Sequence, residues 1–339
     1  MDGCISSRVK TERKSHSYNG LNSKVDGRED DTMIGLISNA TSSWALKCFT
    51  LKELKTATGN LVPDSQVTED EFYVKGWIDE HTLGPTKPGS GLTVAVKKLN
   101  NASHQEPSEW LRKINNMGKL CHPNLVRLIG YCLEDVYPIL VYEYLDKGSF
   151  DKCLFKRGSD FQPLSWKMRI KIALDAAKGL AFLHSEKVNV IHGDFNTSNI
   201  LIDSNHNAKL SDFGLDKYDD PNNYARLNPI TYAAPEYSTT GHLTKKSDIY
   251  GFGVLLLEIM SGKRAWDYDR PRREHNLVVW SQPLLVNKDK IYQVMDSHIE
   301  GQYSPHEAME VARIAIQCLS FSSKNRPNID DVVRSLEKL

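Results

Sequence analysis

The chain has 339 residues, enough for about two domains, which rules out a small disulfide-stapled protein. Its 43 Lys and Arg residues balance 43 Asp and Glu residues, so no whole-chain field attracts it to nucleic acid or to an anionic bilayer, and we predict no nucleic-acid partner. With 40% hydrophobic and 25% charged residues, the composition is typical of a folded globular protein and excludes a mostly disordered one.

Cysteine usage and hydropathy predict a cytoplasmic protein without a structural cofactor. The six cysteines form no CxxC pair and no Cys/His ladder, so neither a disulfide framework nor a zinc site is indicated. The longest apolar stretch, Ile249–Met260, contains Glu258 and is well short of the ~20 residues that span a bilayer, so we interpret it as a buried helix. Residues 1–30 contain no apolar segment of the secretory kind.

The composition and residue pattern of the N-terminal part of the chain change twice. Residues 1–45 are rich in polar and charged side chains and lack any helical or strand period, which predicts a flexible tail. A leading helix and entry segment is predicted at 46–62, where FTLKELKTAT repeats apolar residues at helical spacing. Strands are then predicted at 72–77 and 92–99, joined by the Gly/Pro-rich link LGPTKPGSG.

A further helix and two more strands complete the sheet-rich unit. Pro107 opens a helical run that extends through Leu120, and LVRLIGYC and PILVYEYL follow as strands. The pattern then becomes mainly helical, with polar loops between the helices. Helix length and periodicity are found at Trp166–His184, Lys245–Ser261, Pro305–Ser320 and Ile329–Leu336.

In the segment NVIHGDFNTSNILIDSNHNAKLSDFGL, pairs of apolar residues flank polar residues at fixed intervals. The polar residues include Asp194, Asn199 and Asp212. An Asp-Phe-Gly tripeptide alone is weak evidence, but VAVKKL ends an upstream strand with Lys97, and AAPEY, SDIYGFG and an Arg-Pro pair follow downstream. In this order and spacing, the motifs resemble a eukaryotic protein kinase.

A narrower likeness is carried by HPNLVRLIGYC, ILVYEY, LSWKMRIKIALDAAKGLAFLH and GHLTKKSDIYGFGVLLLEIMSGKRA, which resemble the plant receptor-like cytoplasmic kinases, a serine/threonine-directed family. The resemblance extends from about Phe49 to Leu336. It implies an α+β, two-lobed protein kinase fold over residues 63–338. The β-rich N-lobe, with five strands and one main helix, is expected at about 63–144 and the helical C-lobe at about 145–338.

The resemblance also implies a catalytic role for each retained polar residue. Phosphoryl transfer mainly needs charge neutralisation and a positioned nucleophile. Asp194 is expected to accept the substrate hydroxyl proton and Lys97 to contact the α/β phosphates of ATP. Asn199 and Asp212 are expected to hold Mg²⁺.

For the nucleobase, the resemblance implies a pocket bordered by Tyr142, with the backbone of Glu143 and Tyr144 as the hinge between the lobes. The remaining nucleotide-binding side chains are expected to be Val74, Ala95 and Leu201.

Other matches are architectural and report the fold. Glu236 and Arg326 are expected to form a buried bidentate ion pair, and Asp248 is expected to hold the backbone of the HGDFN loop. An apolar column linking the lobes is also expected, although plain core packing explains it equally well. Its members are Met117, Leu128, His192 and Phe213.

The Gly-rich loop expected before Lys75 departs from the family pattern. The segment reads PDSQVTEDEFYVK, contains no glycine and is shorter than in family members. Glycine lets backbone N–H groups close over phosphates, and Glu69, Asp70 and Glu71 instead place carboxylates where a triphosphate would lie. We therefore predict weakened nucleotide affinity.

The helix that should supply a glutamate partner for Lys97 has Lys113 at that position, and Glu109, one turn earlier, is the candidate substitute. Gly193 stands where regulated kinases carry Arg. Residues 223–225 (Asn-Tyr-Ala) replace phosphorylatable positions, and residues 228–229 (Asn-Pro) replace the usual Gly-Thr, which removes a donor and a hydroxyl.

These departures favour a pseudokinase in intracellular signalling, in receptor or plant immune pathways, whose kinase-shaped surface binds other kinases or receptor proteins as an adaptor or decoy. The alternative is a slow but genuine serine/threonine kinase, because Lys97, Asp194, Asn199 and Asp212 are kept. ATP and Mg²⁺ are its cofactors if nucleotide binding survives.

The N-terminus leaves membrane contact open. Asp2 stands where myristoylation requires glycine, so that lipid is not supported. Cys4, followed by the basic residues of the tail, allows palmitoylation and peripheral contact with the plasma membrane. The other interpretation is an ordinary soluble tail with one free thiol.

Overall fold

The computed structural model has a β-rich lobe followed by a helical lobe, which confirms the α+β, two-lobed prediction. The residues from Ala45 to Leu339 form one unit. Within the described residues, no helix combines the length and the apolar character needed to cross a bilayer. The structure describes residues 45–61, 73–99, 107–135, 138–156, 162–214 and 232–339.

The described part of the N-lobe contains a five-stranded sheet in the order β1-β4-β5-β3-β2. The first strand pairs in parallel with β4 and the other neighbours are antiparallel. The sequence did not predict β1, because two residues are too few to show a period. The strands are β1 Lys47–Cys48, β2 Tyr73–Ile78, β3 Leu92–Lys98, β4 Leu128–Cys132 and β5 Ile139–Glu143.

The two faces of this sheet pack against different neighbours. Helix α1 (Leu51–Thr58) begins at a capping box, in which the Thr50 hydroxyl accepts from the Glu53 amide at 3.1 Å and the Glu53 carboxylate accepts from the Thr50 amide at 2.8 Å. It covers one face of the sheet, the face on which Val94 and Val96 of β3 are buried. The other face continues into the core of the C-lobe.

Helix α2 (Pro107–Met117) lies on that second face through Ile114 and Met117, which are buried in the same cluster as Ala95 and Leu140. Since side chains alternate along a strand, Ala95 and Lys97 share the face that is turned toward the C-lobe. This alternation positions the candidate site.

The described C-lobe is mainly helical. Helix α6 is buried from Ser247 to Ser261, which confirms the interpretation of its apolar stretch as a buried helix. A two-stranded sheet lies between the helices. The elements are α3 Phe150–Phe155, α4 Trp166–His184, β6 Ile200–Ile202, β7 Ala208–Leu210, α5 Pro235–Thr240, α6 Lys245–Ser261, α7 Leu277–Leu285, α8 Pro305–Cys318 and α9 Ile329–Leu336.

The predicted Glu236–Arg326 ion pair is confirmed. Both nitrogens at the end of the guanidinium donate to the carboxylate, Nη1 to Oε1 and Nη2 to Oε2, each at 2.7 Å. Nε donates to the Ser320 carbonyl at 2.9 Å, and Nη1 also donates to the Lys246 carbonyl at 2.8 Å. The fork geometry of a buried arginine is thereby satisfied, and it ties α5 to α6 and to the segment before α9.

Asp248 holds the HGDFN loop as predicted. Its Oδ2 accepts from the His192 amide at 2.9 Å and its Oδ1 accepts from the Gly193 amide at 3.0 Å. A further contact, 2.7 Å between Oδ2 and His184 Nε2, was not predicted. The apolar column is also in place: the ring centroids of His192 and Phe213 lie 6.5 Å apart. Met117 and Leu128 are buried in the same core as Phe213.

Replacing Arg326 with Lys should destabilise the protein by about 3–5 kcal/mol, because a lysine cannot supply the bidentate fork and leaves Glu236 poorly paired. Denaturant unfolding measures this change. Arg313→Lys is the matched control, since Arg313 pairs with Glu310 on an exposed helix face and should lose less than about 1 kcal/mol. Equal losses in the two variants would contradict the framework role of Arg326.

Helix α6 carries a buried carboxyl group. Glu258 is 2% exposed, its Oε2 accepts from the Tyr232 hydroxyl and its Oε1 accepts from the Ala265 amide at 2.6 Å. The Tyr232 hydroxyl lies 3.2 Å from the hydroxyl of Thr197. Burial, the largest effect, raises the pKa of Glu258 to about 7, although the hydrogen bonds from Tyr232 and Ala265 lower it in part.

Replacing Glu258 with Gln should change how stability depends on pH. Because the folded pKa of about 7 exceeds the ordinary value of 4.5, the stabilising effect of Glu258 is complete below about pH 4.5 and is lost as the pH rises through 7. The full change is on the order of 3 kcal/mol. Urea unfolding from pH 4.5 to 8 should show the wild type losing stability relative to Glu258→Gln. A difference that is constant with pH would refute this assignment.

Candidate active site

Asp194 is held in place by two asparagines of its own loop. Asn196 Nδ2 donates to Asp194 Oδ1 at 3.0 Å, and Asn199 Nδ2 donates to Asp194 Oδ2 at 3.0 Å. The Asp194 carbonyl accepts from both amides, at 3.1 and 2.7 Å. Asn196 was not predicted as part of the site, although an asparagine two residues after an aspartate in a tight loop is a common local hydrogen-bond donor.

The segment of residues 192–199 carries Asp194 and Asn199, and we call it the catalytic loop. It is tied directly to the segment that carries Asp212. The Asn199 carbonyl accepts from the Ser211 amide at 2.9 Å, and the Ser211 hydroxyl donates to the same oxygen at 3.2 Å. Asp212 therefore follows immediately after a residue anchored to Asn199. In this way the structure brings Asp194, Asn199 and Asp212 together, as the sequence predicted.

Lys97 extends from β3 and forms an ion pair with Asp212. The side chain of Asp212 is 2% exposed, and its φ of 57° is in the left-handed region, where aspartate is among the few residues found regularly. Backbone of this kind concentrates at functional sites. The Lys97–Asp212 pair thus connects β3 of the N-lobe to the segment that Ser211 anchors to Asn199, and Asn199 in turn holds Asp194. We call the region around these four residues the interlobe cleft.

Tyr73 enters the cleft and was not predicted to do so. Its hydroxyl accepts from Lys97 Nζ at 3.2 Å and donates to Asp212 Oδ2 at 3.4 Å. The Lys97 ammonium also lies 4.9 Å from the centroid of the Tyr73 ring. Tyr73 stands opposite Lys97 in the β2–β3 register, and directly paired residues share a face of the sheet.

The structure does not bring Val74 to the cleft. Val74 is paired with Val96, and both are buried in the cluster on the α1 side of the sheet. The expectation that Val74 binds nucleotide is therefore corrected: alternation along β2 turns it to the far face and turns Tyr73 to the near one.

Helix α2 supplies no carboxylate to Lys97. Glu109 is exposed, and Lys113, at the predicted glutamate position, is half-buried. In the part of the chain that the structure describes, the contacts of Lys97 are made with Asp212 and Tyr73. The suggested substitution by Glu109 is thus not realised in the structure.

The predicted nucleobase pocket is partly in place. Ala95 is buried opposite Tyr142, and Leu201 packs half-buried against the same core. The Tyr142 hydroxyl is buried and has no partner among the described residues. Burial first, and then the negative charge of Asp212, raise the pKa of Tyr142 well above its ordinary range, so the phenol is neutral.

The hinge amides are already engaged inside the protein. The Glu143 amide donates to the Arg127 carbonyl at 3.0 Å, and the Tyr144 amide donates to the Thr93 carbonyl at 3.3 Å. The Glu143 carboxylate accepts from Lys209 Nζ at 2.8 and 2.9 Å, which joins β5 of the N-lobe to β7 of the C-lobe. This ion pair braces the lobes at the hinge.

The side chains of the cleft fit a magnesium–nucleotide complex only in part. A carboxylate at Asp212 and an amide oxygen at Asn199 are hard ligands of the kind that Mg²⁺ prefers. Lys97 is the cation that phosphates would need, but its ammonium is paired with Asp212 and hydrogen-bonded to Tyr73. The side chains of Asp212 and Asn199 therefore suit a magnesium ion. The ammonium of Lys97, as it is paired in the structure, does not suit a nucleotide phosphate.

Several predicted features fall outside the described residues. They are the acidic segment with Glu69, Asp70 and Glu71, the replaced positions 223–225 and 228–229, and the tail with Cys4.

Comparisons with known proteins show the family to which the chain belongs. Residues 74–336 match the family model described as protein tyrosine and serine/threonine kinase. The chain is 50% identical over 355 residues to serine/threonine-protein kinase BIK1 of Arabidopsis thaliana, covering 100% of this chain and 89% of that protein. It is 54% identical over 301 residues to receptor-like cytoplasmic kinase 176 of Oryza sativa subsp. japonica, covering 87% and 76%.

A third relative, probable serine/threonine-protein kinase PBL11 of Arabidopsis thaliana, is 47% identical over 361 residues, with 100% of this chain and 91% of that protein covered. The chain belongs to the protein tyrosine and serine/threonine kinase family.

Proposed function

We propose that this chain is a receptor-like cytoplasmic kinase homologue with impaired catalysis, which acts in plant receptor or immune signalling as an adaptor or decoy. One observation carries the proposal: the ammonium of Lys97 is committed to Asp212 and Tyr73. A phosphoryl-transfer enzyme needs the ammonium of Lys97 for the nucleotide phosphates and the carboxylate of Asp212 for the metal. Positioning and electrostatic stabilisation by such groups supply most of the catalysis.

The N-lobe helix adds a second electrostatic defect. An active kinase pairs its strand lysine with a helix glutamate, whereas α2 carries Lys113 at that position. A carboxylate there would draw Lys97 toward α2 and release Asp212 for metal. A second ammonium has the opposite effect, since like charges repel.

The framework supports a binding role. The Glu236–Arg326 pair and the Asp248 contacts to the HGDFN loop are complete in a chain whose phosphate-binding groups are altered. These contacts preserve a kinase-shaped surface and require no nucleotide. Partners of matching shape are other kinases or receptor proteins.

The second candidate is a slow serine/threonine kinase that uses ATP and Mg²⁺. The geometry of Asp194 favours it, because both of its oxygens and its carbonyl are oriented by Asn196 and Asn199. The names of the relatives, which are serine/threonine-protein kinases, favour it as well.

A phosphotransfer assay separates the two candidates. Purified full-length chain, γ-labelled ATP, Mg²⁺ and a general kinase substrate should give transfer no greater than that of Asp194→Asn. Loss of several electrostatic contributions of about 2 kcal/mol each lowers a rate by several powers of ten. Magnesium-dependent transfer that Asp194→Asn abolishes would establish the slow kinase instead.

We also propose a cytoplasmic location with peripheral contact at the plasma membrane, through Cys4 and the basic residues Arg8, Lys10, Arg13 and Lys14. Charge near a single acyl chain supports reversible anchoring. Fractionation of cells should recover part of the wild type with membranes and should move Cys4→Ala to the soluble fraction. Identical distributions of the two proteins would end the anchor proposal.

A further inference from the structure

Tyr73 is the first residue of β2, and its hydroxyl contacts two of the charged residues of the interlobe cleft. Its hydroxyl accepts from Lys97 at 3.2 Å and donates to Asp212 at 3.4 Å. Lys97 and Asp212 are in turn paired with each other. The three polar groups therefore form a triangle, which we call the Tyr73 triangle.

A phenol is suited to this position. It can accept one hydrogen bond while it donates another, so a single hydroxyl satisfies an ammonium and a carboxylate together. Hydrogen bonds to charged partners are also the stronger ones. The Lys97 ammonium gains a further contact with the ring face at 4.9 Å from the centroid.

The same two charged groups are those that a metal–triphosphate complex would need. Lys97 would have to meet phosphate oxygens and Asp212 would have to meet the metal. The Tyr73 hydroxyl already contacts both groups, so a phosphate and its metal would have to displace it. Register explains why the side chain reaches this point, because Tyr73 pairs directly with Lys97 across β2 and β3.

We propose that Tyr73 determines the ligand specificity of the interlobe cleft: its hydroxyl takes the place of a phosphate oxygen between Lys97 and Asp212, and so excludes magnesium–nucleoside triphosphates. This inference rests on the proposed function, since it names the residue that closes the site. The Tyr73 side chain, and not a bound phosphate, then completes the hydrogen bonding of the Lys97–Asp212 ion pair.

Calorimetric titration of MgATP into the full-length protein tests the proposal. Wild type should bind MgATP with a Kd of about 1 mM or weaker, whereas Tyr73→Val, which keeps a strand-forming side chain but removes ring and hydroxyl, should bind with a Kd at least about tenfold lower than that of wild type. A tenfold change is the size expected when a hydrogen bond to a charged group no longer competes. Tyr131→Phe is the matched control, since it removes a half-buried hydroxyl from β4 of the same sheet, and it should behave like wild type.

Folding of each variant is checked by circular dichroism and thermal unfolding. If Tyr73→Val does not fold, Tyr73→Phe carries the test, because it keeps the ring and loses both polar contacts. It should then bind MgATP at least about threefold more tightly than wild type, and unchanged affinity would overturn the proposal.

Binding and transfer outcomes separate this inference from the proposed function. Equal MgATP affinity of folded Tyr73→Val and wild type overturns the role of Tyr73, whatever the transfer assay shows. Tighter binding by Tyr73→Val supports that role, even where wild type proves to transfer phosphate and the pseudokinase proposal fails.

Discussion

The ion pair between Lys97 and Asp212 is the contact on which the account of this cleft depends. One partner comes from the N-lobe sheet and the other from the segment after β7, so the pair joins the lobes. Their side chains are 15% and 2% exposed, and a buried charge must be paired because removing it from water is costly. Tyr73 completes the pairing, and the lobes are held together by groups of the chain itself. The Glu143–Lys209 ion pair adds a second bridge at the hinge.

The rest of the C-lobe does not depend on this pair. Arg326 satisfies its guanidinium with Glu236 and backbone carbonyls, and Asp248 satisfies its carboxylate with the catalytic-loop backbone and His184. These networks are complete without nucleotide, as buried polar groups must be. The fold can therefore keep its outer shape while the cleft changes its chemistry, which is the arrangement that the proposed adaptor role requires.

Much of the fold was predictable because local signals agree along the chain. The predicted bounds of α4 and α6 coincide with the structure, since each is a mainly apolar run of helix length that begins at a side-chain N-cap, Ser165 for α4 and Thr244 for α6. The framework contacts were predictable from motif residues that are far apart in sequence. Strand β1 was not, because it consists of two residues whose pairing with β4 is a tertiary contact.

The cleft was harder to predict than its framework. The four polar residues could be assigned from motif order, but the side chain that contacts two of them could not. Which of Tyr73 and Val74 enters the cleft depends on strand register, and a shift of one residue exchanges the two faces. The shortened, glycine-free segment before β2 removes the usual means of setting that register from sequence. Asn196 was not predicted for a different reason. Its side-chain amide acts by a hydrogen bond to the neighbouring Asp194, and the motif assigns no separate role to its position.

The most direct test of the account is a crystal structure of the full-length protein grown with millimolar magnesium and a non-hydrolysable ATP analogue. The cleft should contain no nucleotide, and the Tyr73 hydroxyl should lie within hydrogen-bond distance of Lys97 Nζ and Asp212 Oδ2. A structure with phosphates bound to Lys97, a metal on Asp212 and the Tyr73 ring turned out of the cleft would contradict the account.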